Sequence, residues 1–284
     1  MTAIFTKMTD NSRCSSSLCD YGRVHWIWLN SASCFTHGGN MVDVHAEVGH
    51  AAGSSGPSAY ARQVYSRAVQ TFNERLAHLR NDIVSQGDRV LDLTLRAVES
   101  YFDGDRAKAG AVIAGDEEVD RVDVEIERAS IPLLAMGMTD EKSIRSVLTI
   151  VKVNNELERI ADHASSVAKV AKQLAPEPAL QRYLHLPEIG ELAAAQLHGV
   201  LLALVDADAV RAREVAVSDD QIDALYRQSF DECVVLMEAD KANVERGTRL
   251  LFAAHYLERI GDRTTNIAED IVYLVSGEVE DLNP

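Results

Sequence analysis

From Ala59 onward, apolar residues return every three or four positions. Phe72, Leu76, Leu79, Ile83, Val90, Leu91, Leu95, Val98 and Phe102 keep one face apolar, the period of an amphipathic helix packed on one side. Gly87 falls inside this stretch, but a glycine in a helix interior costs only about 1 kcal/mol. One long helix is therefore expected, ending at Asp103-Gly104-Asp105. A second helix is expected over about 106–135, interrupted near Gly115 and closed by Gly137. Thr139-Asp140-Glu141 then offers a cap and first-turn acids for a third, over about 140–174. Pro176, Pro178 and Pro187 bracket a linker, and three more helical periods follow over about 188–205, 207–238 and 241–276. The valine-rich runs are short and embedded in helical periods, so no strand is predicted.

The two helical series are copies. Leu157-Glu158-Arg159-Ile160-Ala161-Asp162 returns one hundred positions later as Leu257-Glu258-Arg259-Ile260-Gly261-Asp262. Upstream, Asp103-Gly104-Asp105 through Asp116-Glu117-Glu118-Val119-Asp120 aligns with Asp206-Ala207-Asp208 through Asp219-Asp220-Gln221-Ile222-Asp223 at a shift of 103. A shorter connection in the second copy accounts for the change of shift, since loops absorb deletions cheaply. Such duplication points to two homologous three-helix units, 58–175 and 187–277, and to an all-α fold of two tandem three-helix bundles.

Residues 1–57 differ, being rich in Ser, Gly, Asn and His with no sustained period, and disorder is expected there. Met41 precedes the stretch leading into the first helix and is a candidate native start.

Composition narrows the functional classes. The chain of 284 residues is 46% hydrophobic and 25% charged, ordinary for a globular protein, but 28 basic against 44 acidic residues leave a net charge of −16. Such a surface repels nucleic-acid phosphates and anionic lipid and favours cations or basic partner surfaces. No stretch approaches the roughly 18–20 apolar residues that a membrane-spanning helix needs, and no secretory signal pattern is present, so a cytoplasmic location is the default expectation. Cys14, Cys19 and Cys34 lack metal-site spacing, and Cys233 reads as a buried thiol.

The chemistry lies in paired carboxylates. In E-x-x-x-D and D-x-x-x-D, positions i and i+4 share a helix face with Cβ atoms about 5–6 Å apart, where like charges repel by a few tenths of a kcal/mol unless a hard cation joins them. Asp116 and Asp120 are expected to face Glu158 and Asp162 across an interhelix gap of about 8–10 Å as one candidate set, and Asp219 and Asp223 to face Glu258 and Asp262 likewise as the other. Carboxylate donors suit Mg²⁺, Mn²⁺, Ca²⁺ or iron, whereas zinc would recruit His or Cys, and His163 and His255 lie within a turn of the motifs. Two other readings share these features: an adaptor whose acids meet basic partner surfaces without metal, and a di-iron oxidase of the ferritin type. The oxidase needs paired Glu-x-x-His motifs, and the one such pair, Glu47 and His50, lies in the glycine-rich arm. No phosphate-cradling glycine loop or nucleophile elbow is present, so no enzyme activity is expected.

The two LERI-x-D segments, the D-x-x-x-D segments before them and Asn266-Ile267-Ala268-Glu269 resemble the PhoU family of phosphate-uptake regulators over about residues 60–276. The resemblance implies a homodimer and metal clusters on the repeated acidic motifs (Mg, Mn, Fe or Zn). It also implies repression of phosphate-starvation signalling through contact with the cytoplasmic side of a phosphate ABC transporter and with a sensor histidine kinase. Residues 1–57 have no counterpart in the family pattern, and Ala161, His163 and Ser166 stand where the second copy has Gly261, Arg263 and Asn266, so the two sets need not bind equally.

Overall fold

The computed structural model describes residues 59–137, 140–176 and 185–283. The expectations for residues 1–57, for Thr139 and for Pro178 fall outside them. Among the described residues every regular element is a helix: α1 (Ala59–Asp103), α2 (Arg106–Ala135), α3 (Glu141–Leu174), α4 (Leu186–Asp206), α5 (Ala209–Val217), α6 (Asp219–Ala239) and α7 (Val244–Ser276), with a 3₁₀ turn at Lys241–Asn243 before α7. The first bundle is α1–α3. In the second, α4, the consecutive pair α5 and α6, and α7 take the three places.

Capping chemistry is duplicated along with the sequence. Asp105 accepts from the Ala107 and Lys108 amides at the start of α2, and its counterpart Asp208 accepts from Val210 and Arg211 at the start of α5, each satisfying amides that a helix start leaves open. Lys108 pairs with Asp103 at 2.7 Å, and Arg211 with Asp206 at 3.1 Å. The backbone between these residues is left-handed in both copies, at Gly104 (φ 62°) and Ala207 (φ 50°).

Two differences from the sequence reading concern the second helix of each unit. α2 runs unbroken through Gly115, so no interruption occurs there. The break comes at the equivalent place in the second copy, at Ser218, where the Ser218 amide and hydroxyl both donate to the Val215 carbonyl at 3.0 and 2.6 Å. This tight turn diverts a carbonyl from the α-helical ladder and restarts the helix at Asp219.

One continuous apolar core joins the bundles, with α3 and α7 as its central antiparallel pair. Lys152 reaches Asp270 at 2.7 Å, Arg263 reaches Glu156 at 3.4 Å, and the His163 and Tyr256 rings stack with centroids 6.1 Å apart. Positions 156 and 163 of one copy thus meet positions 263 and 256 of the other, an internal version of an isologous interface. The same pseudo-symmetry relates α1 and α4. A Cβ on Gly87 would stand 2.5 Å from Leu201, and a Cβ on its counterpart Gly190 would stand 2.8 Å from Val98. The glycine that reads as a tolerated cost in the sequence is what allows these two helices to approach.

The expectation that no segment could span a membrane needs correction for α4. By length and composition α4 is apolar enough to cross a bilayer, although an unbroken apolar run is absent because Glu191, Gln196 and His198 interrupt it. More than half of its most apolar stretch is buried within the protein, as expected of a helix packed into a bundle.

Candidate functional site

α6 and α7 bring Asp219, Asp223 and Asp262 together so that one carboxylate oxygen from each lies within 4.8 Å of the others. Glu258, one turn before Asp262, belongs to the same group, since its carboxyl feels Asp262, Asp223 and Asp219. Asp219 is 4% exposed. Burial, reinforced by Asp262, Asp223 and Asp220, pushes its carboxyl up to about 6, against a hydrogen bond from Gln196. Glu258 is pushed up to about 7, again by burial first and the neighbouring acids next, with Arg259 opposing.

This concentration of acids is only partly neutralised. Arg259 pairs with Asp262 at 2.7 Å and Arg227 with Asp223 at 2.8 Å, but Glu258 Oε2 is buried without a hydrogen-bond partner, with His255 Nδ1 3.5 Å away. A buried carboxylate oxygen left unpaired costs roughly 1–3 kcal/mol or more, and the neighbouring Asp262, Asp223 and Asp219 add repulsion. A hard cation would meet both deficits, since it takes oxygen donors at about 2.0–2.6 Å. The residues present therefore fit a cation. His255 stands at the rim and could complete a mixed donor set.

The first set assembles more loosely. Asp116, half-buried on α2, is raised by burial and by Asp162 and Asp120, with Ser165 opposing, and its Oδ1 is buried without a hydrogen-bond partner. Glu158 is raised by burial, then by Asp162, with Asp123 and Asp120 adding. Asp120 is exposed, and the Asp162 side chain is 47% exposed and pairs with Arg159 at 3.5 Å. Each of the eight carboxylates expected from the sequence thus lies with its own set, but only the second set draws three oxygens into the 4.8 Å range among the described residues.

Three contributors were not anticipated. Asp123 joins the first set and accepts from Asn154 Nδ2 at 2.6 Å; its signal was available, since it lies three residues after Asp120 on the same helix face. Gln196, from α4, donates to Asp219 Oδ1 at 3.2 Å. The tail after α7 folds back, with Arg213 holding Glu280 at 2.8 Å and Asn283 Nδ2 reaching Asp219 Oδ2 at 3.4 Å. Neither the tail nor Gln196 carries a local sequence signal. His163 lies between the sets, where burial first, then Arg263 and Arg259, hold its ring neutral down to about pH 4.

Fold and site together define an all-α scaffold that presents two internally duplicated acidic clusters on a shared helical spine. Comparison with known proteins names the group: the PhoU domain pattern matches residues 61–171 and 186–271, and the chain belongs to the PhoU family. Among similar proteins, a "Phosphate-specific transport system accessory protein PhoU homolog" of Clostridium acetobutylicum is 33% identical over 213 residues, 75% of this chain and 97% of that protein. One of the same description from Caulobacter vibrioides is 34% identical, over 74% of this chain and 92% of that protein. The crystal structure of PhoU from Pseudomonas aeruginosa superposes with a TM-score of 0.71 at 31% identity, over 73% of this chain and all (100%) of that one.

Proposed function

We propose that this chain is an accessory and regulatory protein of phosphate uptake, a negative regulator of phosphate-starvation signalling that works by binding rather than by turnover. The family membership and the names of its relatives support the link to phosphate transport. The observation that carries the mechanism is the duplicated acidic set, raised most strongly where Asp219, Asp223, Glu258 and Asp262 converge.

Asp219, Asp223, Glu258 and Asp262 would hold one cation centre, and Asp116, Asp120, Glu158 and Asp162 the other, with Mg, Mn, Fe or Zn as candidate metals. A bound cation supplies positive charge that cancels the mutual repulsion of these acids. The protein's own part is structural: α6 is drawn to α7, and α2 to α3, by side chains that otherwise push apart. The faces of both bundles are thereby fixed for docking on basic surfaces, to which a net charge of −16 is suited. The partners of this reading are the cytoplasmic side of a phosphate ABC transporter and a sensor histidine kinase. The protein would act as a homodimer in the cytoplasm, held at the inner membrane through its partners.

Deleting the gene in cells grown in high phosphate tests the regulatory role. The reading expects alkaline phosphatase activity to be derepressed and restored by the parent gene, whereas unchanged activity would contradict it. A pull-down from membranes of the same cells should recover transporter and kinase subunits.

A further inference from the structure

The two acidic sets hold equivalent places in the two copies, yet the copies differ at three positions around them. Gln196 on α4 occupies the place of Leu93 on α1, Gly261 that of Ala161, and the break at Ser218 that of the continuous helix at Gly115. All three changes act on one carboxylate, Asp219.

The absence of a side chain at position 261 is required, because a Cβ there would overlap Asp219 Oδ1 and come within 3.2 Å of Gln196 Oε1. Gln196 is 4% exposed; its Nε2 holds Asp219 Oδ1 at 3.2 Å, while its Oε1 is buried, without a hydrogen-bond partner, against the glycine that floors the cluster. A buried amide oxygen with no donor is an unmet acceptor, and here it sits beside the carboxylates that draw together. In the first set the residue at that place is Leu93, which offers no polar atom to Asp116.

Resting on the cation reading of the acidic sets, we propose that Gln196 is a positioning residue peculiar to the second cluster, and that together with Gly261 it makes this cluster the tight, first-filled cation site and the first cluster the weaker one. The amide fixes Asp219 before the cation arrives, so less ordering is lost on binding, and its oxygen adds a donor of the type hard cations accept. Asp120, by contrast, is exposed and the Asp162 side chain nearly half so, and both must be gathered from solvent-facing positions. The two sites would then respond over different cation concentrations.

The test is titration of the chelator-treated full chain with Mn²⁺, followed by electron paramagnetic resonance of free and bound ion. The parent should show a tight and a weak class of site. Gln196→Leu, which installs the residue of the first repeat, and Gly261→Ala should each weaken the tight class by about tenfold or more, the range for losing a group that orients a metal ligand. The weak class should stay unchanged, which also reports that the variants are folded. Equal sites in the parent, or a tight class that survives Asp219→Asn and disappears with Asp116→Asn, would overturn the proposal. No Mn²⁺ binding by the parent would instead reject the cation reading itself.

Discussion

At Glu258, burial and neighbouring charge act in the same direction. Its carboxyl rises to about 7, far above the usual carboxylate range, because ionising it leaves a buried charge among Asp262, Asp223 and Asp219. The folded state therefore binds a proton that the unfolded chain has released, so stability falls as pH rises. The loss begins near the unfolded value of about 4.3 and levels off above about 7, the folded value. For metal-free protein, Glu258→Gln should remove this dependence and raise stability at pH 8 by roughly 1–3 kcal/mol. Urea unfolding of parent and variant at pH 5 and pH 8 checks it: the gap between them should widen at pH 8. Asp270 is likewise raised by burial but has a partner. It is 8% exposed and paired at 2.7 Å with Lys152, whose own side chain is 60% exposed. Lys152→Met strands a buried carboxylate and should cost roughly 1–3 kcal/mol. Asp270→Asn frees a lysine that returns to water and should cost less, a ranking that thermal unfolding of the two variants can read.

The elements were legible where their signals are local. The apolar stripe of α1 from Phe72 to Leu91, the cap at Asp140 and the helical spacing of the carboxylates all depend on residues within one or two turns, and each appears where the pattern places it, whereas Leu95 and Phe102 are exposed and Leu93 and Ala97 lie in the core instead. What was not legible depends on contacts between elements. Gly115 passes through α2 without a break while Ser218 interrupts the equivalent helix, because the hydroxyl of Ser218, and no glycine, captures the Val215 carbonyl. Gln196 lies 23 residues from Asp219, and Asn283 lies 64 from it. No periodicity reports such pairings. The left-handed Ala207 offers a test at this scale, since its counterpart is Gly104. A left-handed non-glycine residue costs about 1–2 kcal/mol, offset in part by the greater unfolded freedom of glycine. Ala207→Gly should thus stabilise the α4–α5 corner by about 0.5–1 kcal/mol, seen as a rise in Tm, while Asp208→Ala, which removes the carboxylate oxygen that accepts from two backbone amides, should lower stability by about 1 kcal/mol.

For the whole molecule, duplication does more than double a motif. The copies meet through α3 against α7 and α1 against α4, so that Arg263 pairs with Glu156 and His163 stacks on Tyr256 at related positions between the acidic sets. Both clusters are built on that shared spine, since Glu158 and Asp162 are on α3 and Glu258 and Asp262 on α7. The central claim is that these carboxylates are cation ligands rather than a solvated acidic face. Metal analysis of the purified full chain tests it most directly, comparing the parent with Glu158→Gln and Glu258→Gln. The account predicts bound metal in the parent and a loss in each variant, greater for Glu258→Gln. A metal-free parent, or variants that retain the parent's full content, would contradict it.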